Sequence, residues 1–452
     1  MIKEILGKQN LNPNIIYTVI KELNANNNNF FKILVNLLDK RKMIQSKSSN
    51  NIKSIIENVR VKKDKAIFNY EKKYSKNKKI NNSFKLSNVE INKIIKNLDK
   101  KIKHSIDLSY TRIKSFHKKQ IFKPFSIRDK FNNYLSYKYL PIESVGVYVP
   151  GGTANYPSSV LMNCVPAIVA GVKNIYMTTP LLGKKANPAV IYAAKKCGVK
   201  EIYKIGGAQA IAALAFGTKK IKKVNKIVGP GNKFVAAAKK EMFGNVGIDM
   251  IAGPSEVMVI ADKTSNPEWV AADLIAQAEH DQYSQSILIA NDKKLIKKVK
   301  KSLYNQLSVL PKKSIARLSL KRFGYAIFSN NMKKTISIIN EVAPEHLEIQ
   351  TKNPQKILKN IKNAGSIFIG RYSPEAMGDY LAGPNHVLPT TGSAKFSSGL
   401  SVFDFLKRQS LIKISKTGIE RLGPSVINLA KYENLEGHAI SVKKRIKRSK
   451  IG

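Results

Sequence analysis

Apolar runs of strand length alternate with segments of helix length from about residue 140 onward. "VGVYVP" (145–150) is followed by "SSVLMNCVPAIVAGV" (158–172), and "NIYMTT" (174–179) is followed by "NPAVIYAAKKCG" (187–198). The alternation continues in "EIYKI" (201–205), "AQAIAALAFG" (208–217) and "KIVGP" (226–230). Short β-branched runs that alternate with helices are typical of a parallel sheet covered by helices.

A second block of the same kind follows "IDMIAGPSE" (248–256). Asn266 and Pro267 predict the N-cap and the first residue of a helix that runs to about residue 281. The predicted strands of this block are "VMVIAD" (257–262), "SILIAN" (286–291), "YAIFS" (325–329) and "AGSIFIG" (364–370), and "KKLIKKVKKSLYNQL" (293–307) is a predicted helix. Residues 1–135 are basic with helical spacing of their apolar positions, although the Asn-rich part before residue 52 suits loops. The residues from Ser401 predict helices and a basic tail. Because two blocks of alternating strands and helices make up most of the chain, the sequence as a whole predicts an α/β fold.

The predicted helix 267–281 carries a polar stripe. Asp273, Gln277 and His280 recur at i, i+4 and i+7 and share one face, beside an apolar stripe. The polar stripe contains no lysine, in a chain whose exposed positions are mostly lysine. Spacing alone leaves a functional face and an ordinary solvated face open. The neighbouring Glu279, Asp281 and Gln282 are expected to have supporting or structural roles.

Further candidates come from the histidines and their acidic neighbours. Glu345 and His346 are adjacent in "APEHLEIQ", a pair suited to acid/base chemistry near neutral pH, just before a strand-like run. Asp379 precedes His386 in "PEAMGDYLAGPNHVLPT", and "YENLEGH" (432–438) joins an acid to a histidine. Imidazole with carboxylate or amide oxygens suits zinc or manganese. None of the pairs has a standard zinc-motif spacing, so a metal is only weakly indicated.

Two glycine turns lie between predicted strands and helices. "IGGAQAIAALAFG" (205–217) and "VGPGNKF" (228–234) could bring backbone N–H groups to a pyrophosphate. The full dinucleotide fingerprint is absent, because Phe234 stands where its last glycine would be. These turns alone are weak evidence for a dinucleotide.

Composition restricts the remaining function classes. The 452 residues suggest two or three domains, and no apolar run predicts a membrane span. Two cysteines without a CxxC spacing, and a start that does not predict a signal peptide, favour a reducing, cytoplasmic location. The net charge of +49 raises nucleic-acid binding as an alternative. Basic residues are spread along the whole chain without aromatic interleaving, which favours a solvated surface instead.

Taken together, the ordered segments resemble the histidinol dehydrogenase family, from about residue 140 to residue 440. The segments that carry the resemblance are "VGVYVPGGTANYPSSVLMN", "GGAQAIAALAFGT", "VGPGNKFV", "IDMIAGPSEVMVIAD", "DLIAQAEHDQYSQ", "APEHLEIQ", "AGSIFIG", "SPEAMGDYLAGPNHVLPT", "SSGLSVFDFLK" and "ENLEGH". The resemblance implies oxidation of L-histidinol through the aldehyde to L-histidine, the last step of histidine biosynthesis, with two NAD reduced in sequence and one Zn²⁺ per subunit. It departs from the family at Ile251, where proline is usual.

The resemblance also implies roles for individual residues. Glu345 would activate water, and His346 would act as acid/base and contact the substrate. The implied metal ligands are Gln277, His280, Asp379 and His438; the implied substrate contacts are these four with Ser255 and Glu433; and the implied NAD contacts are Tyr148, Gln209 and Asn232.

The family's architecture sets the expectations for domains and assembly. It implies two incomplete Rossmann-like domains and an intertwined homodimer in which Glu433 and His438 act across the interface. The predicted divisions are 1–147 (helical, contributing to the first domain), 148–255 (an inserted NAD-associated domain), 256–400 (the rest of the first domain, with the zinc and catalytic residues) and 401–452 (a dimerisation tail). Two alternatives stay open: a related zinc and NAD dehydrogenase acting on another alcohol, and a basic nucleic-acid binder on a dehydrogenase scaffold.

Overall fold

The protein has the α/β architecture that the sequence predicts, with parallel sheets covered by helices. The computed structural model describes residues 19–46, 50–75, 83–121, 123–151, 156–181, 186–311 and 313–447. Parts of the predicted segments lie outside the described residues: 1–18, 47–49, 76–82 and 122 of the N-terminal segment, 152–155 of the first matched motif, 182–185 and 312 of the two following divisions, and 448–452 of the basic tail.

The described strands form three sheets. They are β1 (Lys21–Asn24), β2 (Ser126–Arg128), β3 (Tyr134–Pro141), β4 (Ser144–Tyr148), β5 (Asn174–Thr178), β6 (Glu201–Tyr203), β7 (Lys226–Val228), β8 (Gly247–Ile248), β9 (Glu256–Ala261), β10 (Gln285–Ala290), β11 (Gly324–Phe328), β12 (His346–Ile349), β13 (Ser366–Ile369) and β14 (Leu406–Lys413).

The helices fall into an N-terminal group, a group between the strands and a C-terminal pair. They are α1 (Phe30–Ser46), α2 (Asn50–Tyr74), α3 (Asn88–Lys96), α4 (Lys100–Lys118), α5 (Pro157–Ala170), α6 (Pro188–Lys196), α7 (Gly207–Phe216), α8 (Lys233–Met242), α9 (Pro267–Ala278), α10 (Lys293–Val309), α11 (Lys313–Phe323), α12 (Met332–Val342), α13 (Pro354–Leu358), α14 (Glu375–Tyr380), α15 (Lys416–Tyr432) and α16 (Glu436–Lys447).

Two parallel sheets make up the core. The five-stranded sheet has the order β6-β5-β4-β7-β8, and the six-stranded sheet has the order β1-β11-β10-β9-β12-β13. The central strands β4, β9 and β10 are buried at every position, as expected where helices cover both faces. Four clusters of buried apolar side chains pack around the two sheets.

The N-terminal helices belong to this core. Helix α1 buries Phe30 and Leu34 among residues of the six-stranded sheet. Helix α2 packs against α7 beside the five-stranded sheet. The helix over residues 30–46 agrees with the helix-like character predicted for residues 1–135, and the Asn-rich residues 25–29 form turns.

A third, antiparallel sheet of order β14-β3-β2 carries the C-terminal helices. Residues 406–413 were predicted as part of a helical tail and instead form β14, so the helical tail begins only at Lys416. Seven of the eight residues of β14 are exposed, and pairing with β3, rather than an apolar period, makes this segment a strand. Helices α15 and α16 pack on each other and form the C-terminal arm.

The connection between the two parallel sheets brings two different strand ends together. Residues 249–255 join the carboxyl end of β8 directly to the amino end of β9. A link of this length spans at most roughly 25 Å. The carboxyl edge of the five-stranded sheet and the amino edge of the six-stranded sheet are therefore neighbours. The predicted divisions after residues 147, 255 and 400 stay predictions.

In the described part of the chain, no helix combines the length and the apolar character that crossing a bilayer requires.

Candidate active site

Glu345 and His346 lie at the amino edge of the six-stranded sheet, next to Glu256, the first residue of the neighbouring strand β9. Glu345 precedes β12, and His346 is the first residue of β12. The N–H of Glu256 donates to Glu345 Oε2 at 2.9 Å, and His346 Nδ1 lies 2.9 Å from the carbonyl oxygen of Glu256. A carbonyl oxygen only accepts, so Nδ1 carries the proton. The peptide groups of one residue therefore orient both side chains.

Burial determines the charge states of this pair. It lowers the pKa of His346 to about 4, so the imidazole is neutral at pH 7. Burial, followed by the charge of Glu256, raises the pKa of Glu345 well above its ordinary value. His346 Nε2 is buried and has no hydrogen-bond partner in the described structure. The arrangement provides an unprotonated imidazole nitrogen beside a carboxyl group of raised proton affinity.

Gln277 and Glu375 line the same edge. With its amide nitrogen facing the acceptors, Gln277 donates to Glu375 Oε1 at 2.9 Å and to the carbonyl oxygen of Glu256 at 3.1 Å. Glu375 Oε1 also lies 3.6 Å from His346 Nδ1. This orientation leaves the Gln277 amide oxygen as the atom available to a ligand. Burial and the charge of Asp379 raise the pKa of Glu375 well above its usual range.

Asp379 lies among three histidines. Its Oδ1 is 3.9 Å from His346 Nε2 and 3.6 Å from His386 Nδ1. Burial opposes the charged form of Asp379, yet the contact with His386 and the charges of His386, His346 and His280 hold its pKa below the ordinary value. His280 therefore lies close enough to interact with Asp379 and His346.

The described residues contain one cluster of at least three histidine, cysteine or acidic ligand atoms close enough to share a metal ion. Its ligand atoms come from His346, Glu375 and Asp379 and lie within 4.8 Å of one another. This set shares only Asp379 with the ligands that the sequence resemblance implies. Gln277 and His280 adjoin the cluster through the contacts described above. All the donors are nitrogen or oxygen atoms, the set that suits zinc or manganese in a catalytic site.

A cavity of about 410 Å³ opens beside this cluster. Its polar wall contains His346, Asp379 and His386, and its apolar wall includes Phe368 and Met377. A cavity of this size suits a small polar molecule. The cluster is therefore accessible to a ligand.

Glu433 and His438 lie elsewhere in the same chain. Both are exposed on the C-terminal arm, Glu433 at the end of α15 and His438 within α16. No contact between either residue and the cluster is present within the described chain. Ser255 is half-buried next to Glu256, and its carbonyl oxygen accepts from the N–H of Gln285 at 3.0 Å.

The residues predicted to contact NAD lie at the carboxyl edge of the five-stranded sheet. Tyr148 ends β4, and its hydroxyl accepts from the N–H of Gly207 at 3.1 Å. Gln209, buried in the first turn of α7, donates to Glu71 at 2.9 Å. Asn232 is exposed and caps α8 by accepting from the N–H groups of Phe234 and Val235. Both glycine turns thus meet at one sheet edge.

A buried ion pair holds the second glycine turn. Lys239 and Asp249 are paired and almost fully buried. Lys239 Nζ donates to the carbonyl oxygen of Gly229 at 3.0 Å, and Asp249 accepts from the N–H of Gly229 at 2.7 Å. Gly229 has φ +110°, and a Cβ there would lie 2.2 Å from the carbonyl oxygen of Tyr148. Only glycine allows this close approach.

Sequence reasoning missed several residues of these sites. Glu375 lies in the quoted motif four residues before Asp379, and this spacing, which puts both on one face of a helix, was the available signal. Glu256, Glu71 and Lys239 gave no signal, because each acts through a partner that is remote in the chain. In the part of the chain that the structure describes, no hydrogen bond or ion pair joins Glu279, Asp281 or Gln282 to the cluster; Asp281, for example, accepts from the N–H of Tyr283.

Comparison with known proteins gives the family. A family model described as histidinol dehydrogenase matches residues 38–446. The histidinol dehydrogenase of Pelagibacter ubique is 58% identical over 431 residues, which cover 95% of this chain and 100% of that protein.

The chain belongs to the histidinol dehydrogenase family. The histidinol dehydrogenase of Rhizobium meliloti is 47% identical over 395 residues, covering 87% of this chain and 91% of that protein. The crystal structure of histidinol dehydrogenase from Elizabethkingia anophelis has a TM-score of 0.88 at 37% identity and covers 96% of this chain and 99% of that chain. Membership in the histidinol dehydrogenase family makes this protein an oxidoreductase and confirms the resemblance seen in the sequence.

The first prediction concerns the protonation of His346. In the metal-free protein, the imidazole is expected to stay neutral below pH 7 and to titrate with a pKa of about 4. The unfolded chain takes up this proton near pH 6.5, so His346 lowers the stability of the fold as the pH falls from about 6.5 towards 4. Nuclear magnetic resonance of ¹⁵N-histidine-labelled protein, assigned with His346→Gln, measures the titration. Protonation above pH 6 would contradict the prediction.

Proposed function

We propose that this member of the family oxidises L-histidinol through L-histidinaldehyde to L-histidine, reduces two molecules of NAD in sequence, and so completes histidine biosynthesis. One observation carries the proposal. The neutral His346 keeps its Nδ1 proton on the Glu256 carbonyl and leaves Nε2 unpaired, beside a carboxyl group of raised pKa. The free cysteines are consistent with action in the cytoplasm.

The first oxidation needs a base. Hydride leaves the alcohol carbon for the nicotinamide while the hydroxyl proton leaves the oxygen. His346 Nε2 is the acceptor for that proton, because Nδ1 is already protonated and fixed. The charge of Asp379, 3.9 Å from Nε2, stabilises the imidazolium that results.

The second oxidation needs a nucleophile that turns the aldehyde into a hydrate. Both cysteines are buried in α5 and just after α6, so a thiol is not at hand. Glu345, with its raised pKa, is suited to take a proton from water as that water attacks the aldehyde carbon. Hydride transfer from the hydrate then gives the carboxylic acid.

A zinc ion fits the donor set. We assign its ligands to Gln277, His280 and Asp379, with His438 as the fourth. The amide oxygen of Gln277 is available because its nitrogen faces Glu375 and Glu256, and the carboxylate of Asp379 stays ionised. When bound, the metal supplies a Lewis acid that holds and orients the nitrogen and oxygen atoms of the substrate. Ser255 and Glu433 are assigned to the substrate as well.

NAD is assigned to the carboxyl edge of the five-stranded sheet, against Tyr148, Gln209 and Asn232. Carboxyl ends of parallel strands are the usual place for a dinucleotide. The short link 249–255 puts this edge beside the cluster at the amino edge of the six-stranded sheet. The nicotinamide therefore has a route to the substrate.

We assign the protein to a homodimer in which the C-terminal arm of each subunit completes the site of the other. Glu433 and His438 are exposed and lie outside the cluster of their own chain. The arm also exposes large apolar side chains, among them Leu429 and Tyr432, which are 64% and 89% exposed. Apolar exposure on this scale indicates a surface that a partner covers.

The proposed activity is tested with L-histidinol, NAD and zinc. NADH formation is expected, a chelator is expected to abolish it, and added zinc is expected to restore it. His346→Gln is expected to lower kcat by about a hundredfold or more, because the base is lost. His104→Gln, on the exposed face of α4, is the matched control and should retain kcat. A zinc-loaded protein that forms no NADH from histidinol would overturn the proposal.

The cofactor site is tested with Tyr148→Phe. The variant frees the N–H of Gly207 and loosens the turn, so the KM for NAD is expected to rise about tenfold while kcat stays the same. Tyr203→Phe is the matched control, since this buried tyrosine of β6 also accepts a backbone N–H, from Lys222. Equal effects of the two substitutions would argue against an NAD site at Tyr148.

The shared site is tested with hybrid dimers. Neither His346→Ala nor His438→Ala homodimers should be active. Co-expression of the two chains should restore about a quarter of the wild-type activity, because half of the dimers contain one intact site of two. If the mixture is no more active than the separate variants, His438 does not act across an interface.

A further inference from the structure

Arg41 is buried in the described structure and makes contacts far from its own helix. Its side chain is 3% exposed on α1. The guanidinium donates to a carboxylate oxygen of Glu256, to the carbonyl oxygen of Pro254 at 2.7 Å, and to the carbonyl oxygen of Tyr283 at 3.2 Å. Arg41 therefore joins the N-terminal helix to the segments that begin β9 and β10.

Glu256 connects Arg41 to the catalytic pair. Its side chain is bound by Arg41 and by the N–H of Thr391 at 3.0 Å. Its backbone N–H binds Glu345, and its carbonyl oxygen binds His346 and Gln277. A rotation of the Glu256 peptide groups would move all three side chains at once.

The buried carboxyl groups around Glu256 make the position of Glu256 dependent on the positive charge of Arg41. Glu256 and Glu345 are both buried and hydrogen-bonded through Glu256 N–H, and Glu375 and Asp379 lie close to Glu345. A buried carboxylate without a cation is costly, and the structure relieves it by taking up a proton or by moving. Arg41 is the paired cation of Glu256. Removing it leaves the carboxylate uncompensated beside the residue that should take a proton from water.

We propose that Arg41 is a positioning residue for the oxidation: by fixing Glu256 and the carbonyl groups of Pro254 and Tyr283, it holds the peptide groups that orient Glu345 and His346. The inference rests on the proposed function for its link to turnover. Its bonds to Glu256, Pro254 and Tyr283 give Arg41 a supporting role, through the groups that hold Glu345 and His346.

The variants are chosen to separate positioning from folding. Arg41→Met removes the cation and keeps the apolar stem. Adding Glu256→Gln to it removes the uncompensated charge while keeping an oxygen for the N–H of Thr391. Leu34→Ala is the matched control, since Leu34 is buried on the same helix and its loss weakens packing without touching Glu256.

Turnover is the first measurement. Arg41→Met is expected to lower kcat by about ten- to a hundredfold, as loss of a supporting contact commonly does, with the KM for NAD unchanged. The double variant is expected to recover most of the lost kcat. Leu34→Ala should lower the melting temperature and retain kcat per folded enzyme. A kcat of Arg41→Met within twofold of wild type, no recovery in the double variant, or an equal loss in Leu34→Ala would each overturn the proposal.

The ¹⁵N resonances of His346 provide a measurement that does not need turnover. Their chemical shifts should change in Arg41→Met, return to the wild-type values in the double variant, and keep the wild-type values in Leu34→Ala. If the wild type forms no NADH from histidinol, the proposed function fails, and these resonances still decide whether Arg41 positions His346. Unchanged resonances in Arg41→Met would overturn the positioning role on their own.

Discussion

The candidate site depends on the two peptide groups of Glu256. The N–H of this residue holds Glu345, and its carbonyl oxygen holds His346 and Gln277. The residue can do this because it is the first of a strand that lies between β10 and β12, where one backbone N–H and one C=O at the end of the strand face side chains instead of the ladder. The position of its side chain in turn depends on Arg41 and on the N–H of Thr391.

Buried charges also hold residues 249–255, the segment that connects the two parallel sheets. A buried ion pair lies at each end of it, Lys239 with Asp249 and Arg41 with Glu256. The first pair shapes the glycine turn proposed to bind NAD, and the second supports Glu345 and His346. Buried pairs of this kind contribute little net stability compared with apolar residues, and their value lies in defining one geometry. The two edges proposed to hold NAD and the substrate are thus linked by a short, well-defined segment.

Most of the α/β core could be predicted from the sequence, because buried parallel strands are continuous apolar runs and their helices have a clear period. The polar stripe of α9 was recognised through its lack of lysine. Asp273 on that stripe binds Gln350, next to β12, instead of joining His346, Glu375 and Asp379, and only the packing of β12 reveals this. Arg41 is one of 79 basic residues and could not be distinguished from a solvated lysine or arginine. Strand β14 was missed because an exposed, charged segment becomes a strand only through its partner.

The candidate site contains several carboxyl groups that are buried close together. Burial and mutual repulsion raise the pKa of Glu345 and Glu375, so the cluster favours a cation or retains protons in its place. Zinc-edge X-ray absorption of the zinc-loaded protein tests this account most directly. The expected result is a shell around zinc that contains only nitrogen and oxygen donors, at about 2.0–2.2 Å. A sulfur shell at about 2.3 Å, or a folded protein that retains no zinc, would contradict it.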